Sequence, residues 1–178
     1  MDNRRAVFIV SGIPGAGKTT VSRLLAERFD RGVHVESDLF QRMIVSGGLW
    51  VNEEPAEEAQ RQRRLRGRHA RMLADSFFAA GFTPVIDDVV IGSRLGDFTS
   101  DLRSRPLLFV LLTPRLDIVQ RRDSERLEKQ VFRTWRHLDQ VMRVETPREG
   151  LWLESSELTA EQTVDEILGR AWHEAQLS

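Results

Sequence analysis

The stretch that decides the fold is Gly12-Ile13-Pro14-Gly15-Ala16-Gly17-Lys18-Thr19. It matches the pattern G-x-x-x-x-G-K-[ST] at every fixed position. The apolar residues 6–10 precede it and predict a short buried strand. Residues 20–29 follow it and predict a helix with its apolar positions on one side. A strand, a glycine-rich loop and a helix in this order form the arrangement that binds phosphate.

The chemistry of this loop comes mainly from its backbone. Glycine lets the main chain approach a phosphate closely, and successive N–H groups at a helix N-terminus form an anion nest. The Lys18 ammonium can reach the β- and γ-phosphates, and the Thr19 hydroxyl can ligate Mg²⁺. We expect ATP with Mg²⁺ to bind here. The predicted nucleotide-binding residues are Gly12, Pro14, Gly15, Ala16, Gly17, Lys18, Thr19 and Thr20.

Composition narrows the class of protein. A length of 178 residues predicts one domain, residues 1–178. With 26 basic and 27 acidic residues, the chain has no overall bias toward nucleic acid or an anionic membrane, so a nucleic-acid partner is possible but not favoured. The absence of cysteine excludes disulfides and thiolate metal sites. There is no apolar run of membrane-span length, and we expect a cytoplasmic protein without a membrane partner.

Asp38 is the candidate catalytic base. Residues 33–36 predict a second strand, and Ser37 or Asp38 can N-cap the helix that follows. Ligands of open α/β sheets lie at the carboxyl ends of the strands, where Asp38 could accept a proton from a substrate hydroxyl. The simpler interpretation is that Asp38 only caps the helix, and Glu36 is the reserve candidate.

Two more residues are assigned to the substrate, Arg42 on the same helix and Trp50 in the loop 46–55 that would roof an acceptor pocket. Trp50 is equally consistent with ordinary packing.

Residues 56–80 predict a long helix that is closed by Gly81. Its first half is rich in arginine, and four of these arginines form one stripe along the helix. We favour a solvated face for this stripe; the alternative is that it binds a phosphate or carboxylate of the acceptor. The second half is predicted to face the core through four apolar side chains. The stripe consists of Arg61, Arg64, Arg68 and Arg71, and the apolar set of Met72, Leu73, Phe77 and Phe78.

Asp87 and Asp88 end the apolar strand predicted for residues 83–90. Adjacent carboxylates at the end of a buried run are costly unless a cation or hydrogen bonds balance them. The alternative is a strand that ends in a polar turn. The sequence leaves the two roles interchangeable, and we assign Asp87 to Mg²⁺ and Asp88 to the substrate side.

Arg122 and Arg126 lie one helical turn apart after the buried strand 107–112, on a helix predicted to begin at Thr113-Pro114. Two guanidiniums near the phosphates predict a lid, about residues 121–137, that neutralises charge during transfer. A solvated helix face is the alternative. A fifth strand at 150–154 and a last helix opened by a capping box at Thr159 complete the pattern.

With these motifs placed, the whole chain resembles the P-loop kinases, and within them the chloramphenicol phosphotransferase-like group, with gluconate kinases and polynucleotide 5′-hydroxyl kinases as cousins. The resemblance implies an α/β P-loop NTPase fold. It implies a five-stranded parallel sheet in the order 2-3-1-4-5, with helices on both faces and a small helical lid. It also implies that Asp38 is the base and that Lys18, Arg122 and Arg126 take part in catalysis. The region 50–71, where the acceptor is chosen, matches no group.

Three functions remain open from the sequence. The first is an ATP-dependent phosphotransferase that moves the γ-phosphoryl to a hydroxyl of a small antibiotic- or sugar-like acceptor. The second is a nucleoside or polynucleotide 5′-hydroxyl kinase. The third is a nucleotide-binding regulatory module without transfer activity.

Overall fold

The computed structural model describes residues 5–124 and 136–177. The elements in chain order are β1 (Val7–Ser11), α1 (Lys18–Glu27), β2 (Gly32–Glu36), α2 (Ser37–Arg42), α3 (Ala56–Ala79), β3 (Thr83–Asp87), α4 (Arg94–Ser100), β4 (Leu107–Leu112), α5 (Leu116–Ser124), α6 (Leu138–Gln140), a π-helical segment (Val141–Glu145), β5 (Leu151–Leu153) and α7 (Ala160–Glu174).

The five strands form one parallel sheet in the order β2-β3-β1-β4-β5. This confirms the predicted α/β architecture and strand order. In the register, Asp87 lies beside Val10 on one side and beside Glu36 on the other. The carboxyl ends of β2, β3 and β1 therefore meet at one edge of the sheet.

The centre of the sheet is buried because its strands are continuous apolar runs covered on both faces. All residues of β1, β3 and β4 are buried. Helices α1 and α7 pack against each other, and both α1 and α3 pack against β2 and β3. Within the described residues, no helix has the length and apolar character needed to cross a membrane.

Helix α3 has nearly the predicted bounds, but its predicted core face is only partly right: Phe78 packs against the core as predicted, whereas two of the other apolar residues are exposed. Met72 is 62% exposed and Leu73 is 38% exposed. The buried residues of the helix are mostly small, and small side chains let the helix backbone approach the sheet closely. They are Ala59, Gln62, Gly67, Ala70 and Ala74. The closing role of Gly81 is confirmed, since it has a φ of 89° and its N–H donates to the Phe78 carbonyl.

Two predicted helix starts are corrected, and one is confirmed. Neither Ser37 nor Asp38 caps α2, because the helix already begins at Ser37, and Glu36, the N-cap residue, makes no side-chain capping bond. Helix α5 begins at Leu116 rather than at Thr113, because the Thr113 N–H is still paired with the Leu153 carbonyl beside β4. The capping box at the start of α7 is present as predicted.

Candidate active site

The phosphate loop connects β1 to α1, and glycine gives it its shape. Gly15 and Gly17 have φ angles of 91° and 93°, which lie in the left-handed region that favours glycine. A Cβ at Gly15 would lie 2.8 Å from Val119 Cγ1, whereas a Cβ at Gly17 would meet no atom within 4 Å. Gly17 is also the N-cap residue of α1. The open space therefore lies at the positive end of a helix, where an anion is favoured.

A cavity of about 560 Å³ extends from this loop along the edge of the sheet. Six of the eight predicted nucleotide-binding residues line it: Pro14, Gly15, Gly17, Lys18, Thr19 and Thr20. The other two, Gly12 and Ala16, lie on the side of the loop that packs against the protein interior. Ala16 is buried, and a Cβ on Gly12 would lie 2.8 Å from the Leu112 carbonyl oxygen.

Asp87 faces the phosphate loop. It is 5% exposed, and its Oδ2 lies 3.6 Å from His34 Nε2. Burial raises the pKa of the Asp87 carboxyl, but His34, the Lys18 charge and a hydrogen bond with Thr19 outweigh it and hold the pKa below its ordinary value. Asp87 is therefore a carboxylate at neutral pH, directed toward Lys18 and Thr19.

The neighbouring Asp88 faces the other way, toward arginine. It is 4% exposed, and its Oδ1 accepts a 2.7 Å hydrogen bond from the Val89 N–H. Arg66 lies 3.6 Å from Oδ1, and Arg94 lies 3.8 Å from Oδ2. Successive residues at a strand end point to opposite sides, and this separates the two carboxylates.

Arg63, Arg66 and Arg94 form a group that we call the arginine cluster. All three line the cavity. The Nε atoms of Arg63 and Arg66 are buried without a hydrogen-bond partner. Burial, together with the charge of Arg94, lowers the pKa of Arg63 to about 10. Burial also lowers the pKa of Arg94, although Asp88 opposes that shift. The cluster is thus positively charged and only partly compensated.

Asp38 lies at the start of α2 and lines the same cavity. Its Oδ1 forms a 3.0 Å ion pair with Arg66, and its side chain is 49% exposed. Arg66 therefore bridges Asp38 and Asp88, and it holds the predicted base at the rim of the cavity beside the phosphate loop.

The loop between α2 and α3 roofs this part of the cavity through Trp50, whose ring lies 5.8 Å from the Arg66 guanidinium. Gln62 on α3 anchors the loop. Its Oε1 accepts a 2.7 Å bond from the Leu49 N–H, and its Nε2 donates a 2.8 Å bond to the Gly47 carbonyl. Because Gln62 is buried, this anchor is shielded from water.

The remaining predicted residues have different placements. Arg42 lines the cavity and is 3.3 Å from Glu36. Arg122 does not line it, and its guanidinium donates a 3.1 Å bond to the Ser155 carbonyl in the loop after β5. Arg126 and most of the predicted lid lie outside the described residues.

Sequence reasoning missed the arginine cluster and His34. It singled out the stripe of Arg61, Arg64, Arg68 and Arg71 on α3, and none of these four residues lines the cavity. Arg71 instead pairs with Asp101 at 2.8 Å. The useful signal was the row of small residues on α3, which fixes the rotation of the helix against the sheet.

The donors at the phosphate loop suit a magnesium ion. Thr19 and Asp87 offer a hydroxyl and a carboxylate oxygen side by side. Within residues 5–124 and 136–177, no group of three or more histidine or acidic side chains could hold a metal alone. Mg²⁺ usually keeps several waters and binds one or two carboxylates together with substrate phosphates, which matches this sparse set.

A family model described as an AAA domain, AAA_18, matches residues 9–143. The chain belongs to this family. Membership implies nucleotide binding, in keeping with the phosphate loop described above. The predicted likeness to the P-loop kinases is confirmed for that family as a whole.

Two curated relatives match part of the chain. A UPF0200 protein of Aeropyrum pernix is 34% identical over 74 residues, which is 40% of this chain and 40% of that protein. A cytidylate kinase of Methanosarcina barkeri is 26% identical over 91 residues, 46% of this chain and 51% of the kinase. The chain thus matches about half or less of the length of these relatives.

Solved structures resemble the whole chain. The tunicamycin resistance protein of Deinococcus radiodurans superposes with a TM-score of 0.68 at 16% identity, covering 98% of this chain and 99% of that one. A sugar kinase from Janibacter sp. HTCC2649 superposes with a TM-score of 0.67 at 16% identity, covering 93% and 94%. At such identities the likeness shows the fold alone, which is that of the P-loop kinases.

Proposed function

We propose that the chain is a MgATP-dependent phosphotransferase that moves the γ-phosphoryl group to a hydroxyl of a small molecule. One observation carries the proposal. The phosphate loop and the Asp38 carboxylate line the same cavity, so a triphosphate and an acceptor hydroxyl can lie side by side.

The phosphate half of the cavity binds and orients ATP. The N–H groups of the loop and the Lys18 ammonium hold the β- and γ-phosphates. Thr19 and Asp87 would hold Mg²⁺, which when bound neutralises charge on the β- and γ-phosphate oxygens. Since the Asp87 pKa lies below its ordinary value, Asp87 stays ionised for this task at neutral pH.

The acceptor half activates the hydroxyl. Asp38 accepts the hydroxyl proton, the acceptor oxygen forms a bond to the γ-phosphorus, and the bond from that phosphorus to the leaving ADP oxygen breaks. Arg66 orients the Asp38 carboxylate through the 3.0 Å ion pair. Positioning of this kind supplies much of the catalysis in phosphoryl transfer. We retain Arg122 and Arg126 as predicted lid residues.

The size and lining of the cavity favour a small acceptor. A volume of about 560 Å³ lies in the usual range for small-molecule sites. Asp88, Arg42 and Trp50 line it near Asp38 and would contact the acceptor. The names of the two structural neighbours, a sugar kinase and an antibiotic resistance protein, support a sugar- or antibiotic-like acceptor. The narrower likeness to the chloramphenicol phosphotransferase-like group rests on the sequence motifs.

Nucleoside monophosphates are a second class of acceptor, favoured by the partial match to cytidylate kinase. A polynucleotide 5′-end has less support, because the arginine stripe on α3 lies outside the cavity. A regulatory module would have no use for a carboxylate beside the phosphate loop.

Transfer of labelled γ-phosphate from ATP to a panel of antibiotics, sugars, hydroxy acids, nucleosides and nucleoside monophosphates tests the proposal. Lys18→Ala removes the phosphate ligand, and Asp38→Asn removes the base. Asp117→Asn is the matched control, since Asp117 also lies in the first turn of a helix and is exposed.

We expect transfer to at least one class of acceptor, with a loss of about 100-fold or more in Asp38→Asn and no loss in the control. Release of label only as free phosphate, at a rate that Asp38→Asn leaves unchanged, would refute the base and leave a nucleotide-binding module.

A further inference from the structure

The arginine cluster carries more positive charge than its surroundings balance. Three guanidiniums face two carboxylates, Asp38 and Asp88. Two further arginines nearby are already paired, Arg42 with Glu36 and Arg71 with Asp101. Of the other carboxylates on the cavity wall, Asp87 faces Lys18 and Glu145 is exposed to solvent; Asp97, which also attracts Arg94, is exposed as well. One positive charge is left over in the acceptor half of the cavity.

Arg63 is the residue with the uncompensated charge. Its Nε is buried without a hydrogen-bond partner, and no ion pair of Arg63 is found among the described residues. Burial, together with the like charge of Arg94 and Arg66, lowers its pKa to about 10 although Asp88 opposes the shift, so Arg63 is still charged at neutral pH. A half-buried guanidinium whose Nε lacks a partner is less stable than one that is paired, and an anion in the cavity would stabilise it.

We propose that the acceptor is a hydroxy acid, whose carboxylate binds the arginine cluster while its hydroxyl faces Asp38. This inference rests on the proposed function and names its substrate class. A carboxylate carries one negative charge and offers two oxygens to the planar guanidinium fork. A phosphate monoester carries nearly two charges at neutral pH, one more than the cluster leaves uncompensated.

The geometry separates binding from catalysis within one cavity. Arg66 is shared between Asp38 and Asp88, and Arg94 is held through its hydrogen bond to the Val89 carbonyl. Arg63 has no such ion pair within the described residues, so its N–H donors can turn toward the carboxylate. It is therefore a specificity-determining residue, whereas Asp38 handles the hydroxyl proton.

Calorimetric titration in the absence of nucleotide tests the inference without requiring transfer. The probes are glycolate, ethylene glycol as its neutral match, and inorganic phosphate. The variants are Arg63→Gln and, as the matched control on the exposed side of α3, Arg68→Gln. Urea unfolding of each variant checks that it is folded.

We expect glycolate to bind the wild type, ethylene glycol not to bind, and phosphate to be unaffected by Arg63→Gln, since phosphate belongs to the loop. Arg63→Gln should weaken glycolate binding by about tenfold or more, and Arg68→Gln should leave it unchanged. Equal glycolate binding in wild type and Arg63→Gln would overturn the inference. It would also be overturned if phosphate bound more tightly than glycolate and Arg63→Gln weakened that phosphate binding.

A second measurement uses transfer from ATP to polyhydroxy acids and their neutral polyols. We expect ADP formation with the acids, and a rise in KM with little change in kcat for Arg63→Gln. Transfer to neutral acceptors alone would overturn the hydroxy-acid inference and leave the proposed function standing. Absence of transfer to every acceptor would count against the proposed function, and the glycolate titration would still decide the role of Arg63.

Discussion

Asp88 should stabilise the fold by neutralising the arginine cluster. In Asp88→Asn the side chain keeps its shape and its amide oxygen can still accept from the Val89 N–H, so the change removes charge alone. Arg66 and Arg94 would then face each other and Arg63 without this carboxylate.

The distances allow the size of this effect to be worked out. At 3.6 and 3.8 Å and an effective dielectric constant of about 20, each pair attracts by about 4.5 kcal/mol. The arginine side chains are only 10% and 22% exposed, but the cavity admits solvent and both separations exceed hydrogen-bond length. Removal of one partner from a fully buried pair costs about 3–5 kcal/mol. We therefore expect a loss of about 2–4 kcal/mol in unfolding free energy, or about 4–16 °C in Tm.

Urea unfolding at pH 7 and low ionic strength, followed by circular dichroism, measures this loss. Asp101→Asn is the control, because Asp101 pairs with Arg71 at 2.8 Å but has a side chain that is 66% exposed. A surface pair of this kind contributes about 0–1 kcal/mol. Sulfate should recover part of the loss in Asp88→Asn, since it can bind the freed guanidiniums.

A loss in Asp88→Asn that equals the loss in Asp101→Asn would refute the reasoning. It would mean that the arginine cluster relaxes into solvent when Asp88 is neutral.

Three other substitutions test the scaffold. Gln62→Leu should release the loop that carries Trp50, because leucine cannot form the two hydrogen bonds of Gln62 to that loop. Limited proteolysis would detect this as faster cleavage within residues 47–53. Gly15→Ala should lower the unfolding free energy by about 1–3 kcal/mol, because φ is positive there and Val119 blocks the Cβ. Ser11→Ala should cost about 2–4 kcal/mol, because the Val90 N–H and carbonyl both bond to the buried Ser11 hydroxyl.

Each has its own control or contrary outcome. Unchanged proteolysis of Gln62→Leu would mean that other contacts hold the loop. Gly96→Ala is the control for Gly15→Ala, since Gly96 lies in α4 with no atom within 4 Å of an added Cβ, and it should gain about 1 kcal/mol. A Ser11→Ala loss below about 1 kcal/mol would show that Val90 finds other partners.

The sheet and the phosphate loop could be predicted because their signals are local. Continuous apolar runs predict buried parallel strands, and the fixed glycines predict a loop whose backbone few other residues can adopt. The roles assigned to Asp87 and Asp88 stay predictions; the structure shows only that Asp87 faces Lys18 and Asp88 faces Arg66.

The acceptor half could not be predicted to the same degree. A helix as rich in arginine as α3 offers several stripes, and the side that faces the sheet is marked by Ala70 and Ala74 rather than by large apolar residues. Met72 and Leu73 therefore misled the assignment of its core face. Arg66 and His34 lie far along the chain from their partners Asp88 and Asp87, and only the packing of α3 and the register of β2 against β3 bring them close.

Asp87 and Asp88, which we propose to serve the two halves of the cavity, are joined by one peptide bond. A ligand that shifts the end of β3 by contact with Asp87 must also move Asp88, and the reverse holds equally. Under these proposed roles the two binding equilibria would be linked, and the factor by which nucleotide changes the affinity for the acceptor would equal the factor by which the acceptor changes the affinity for nucleotide. A shift of the backbone at these two residues would then carry the coupling between two ligands that contact different side chains.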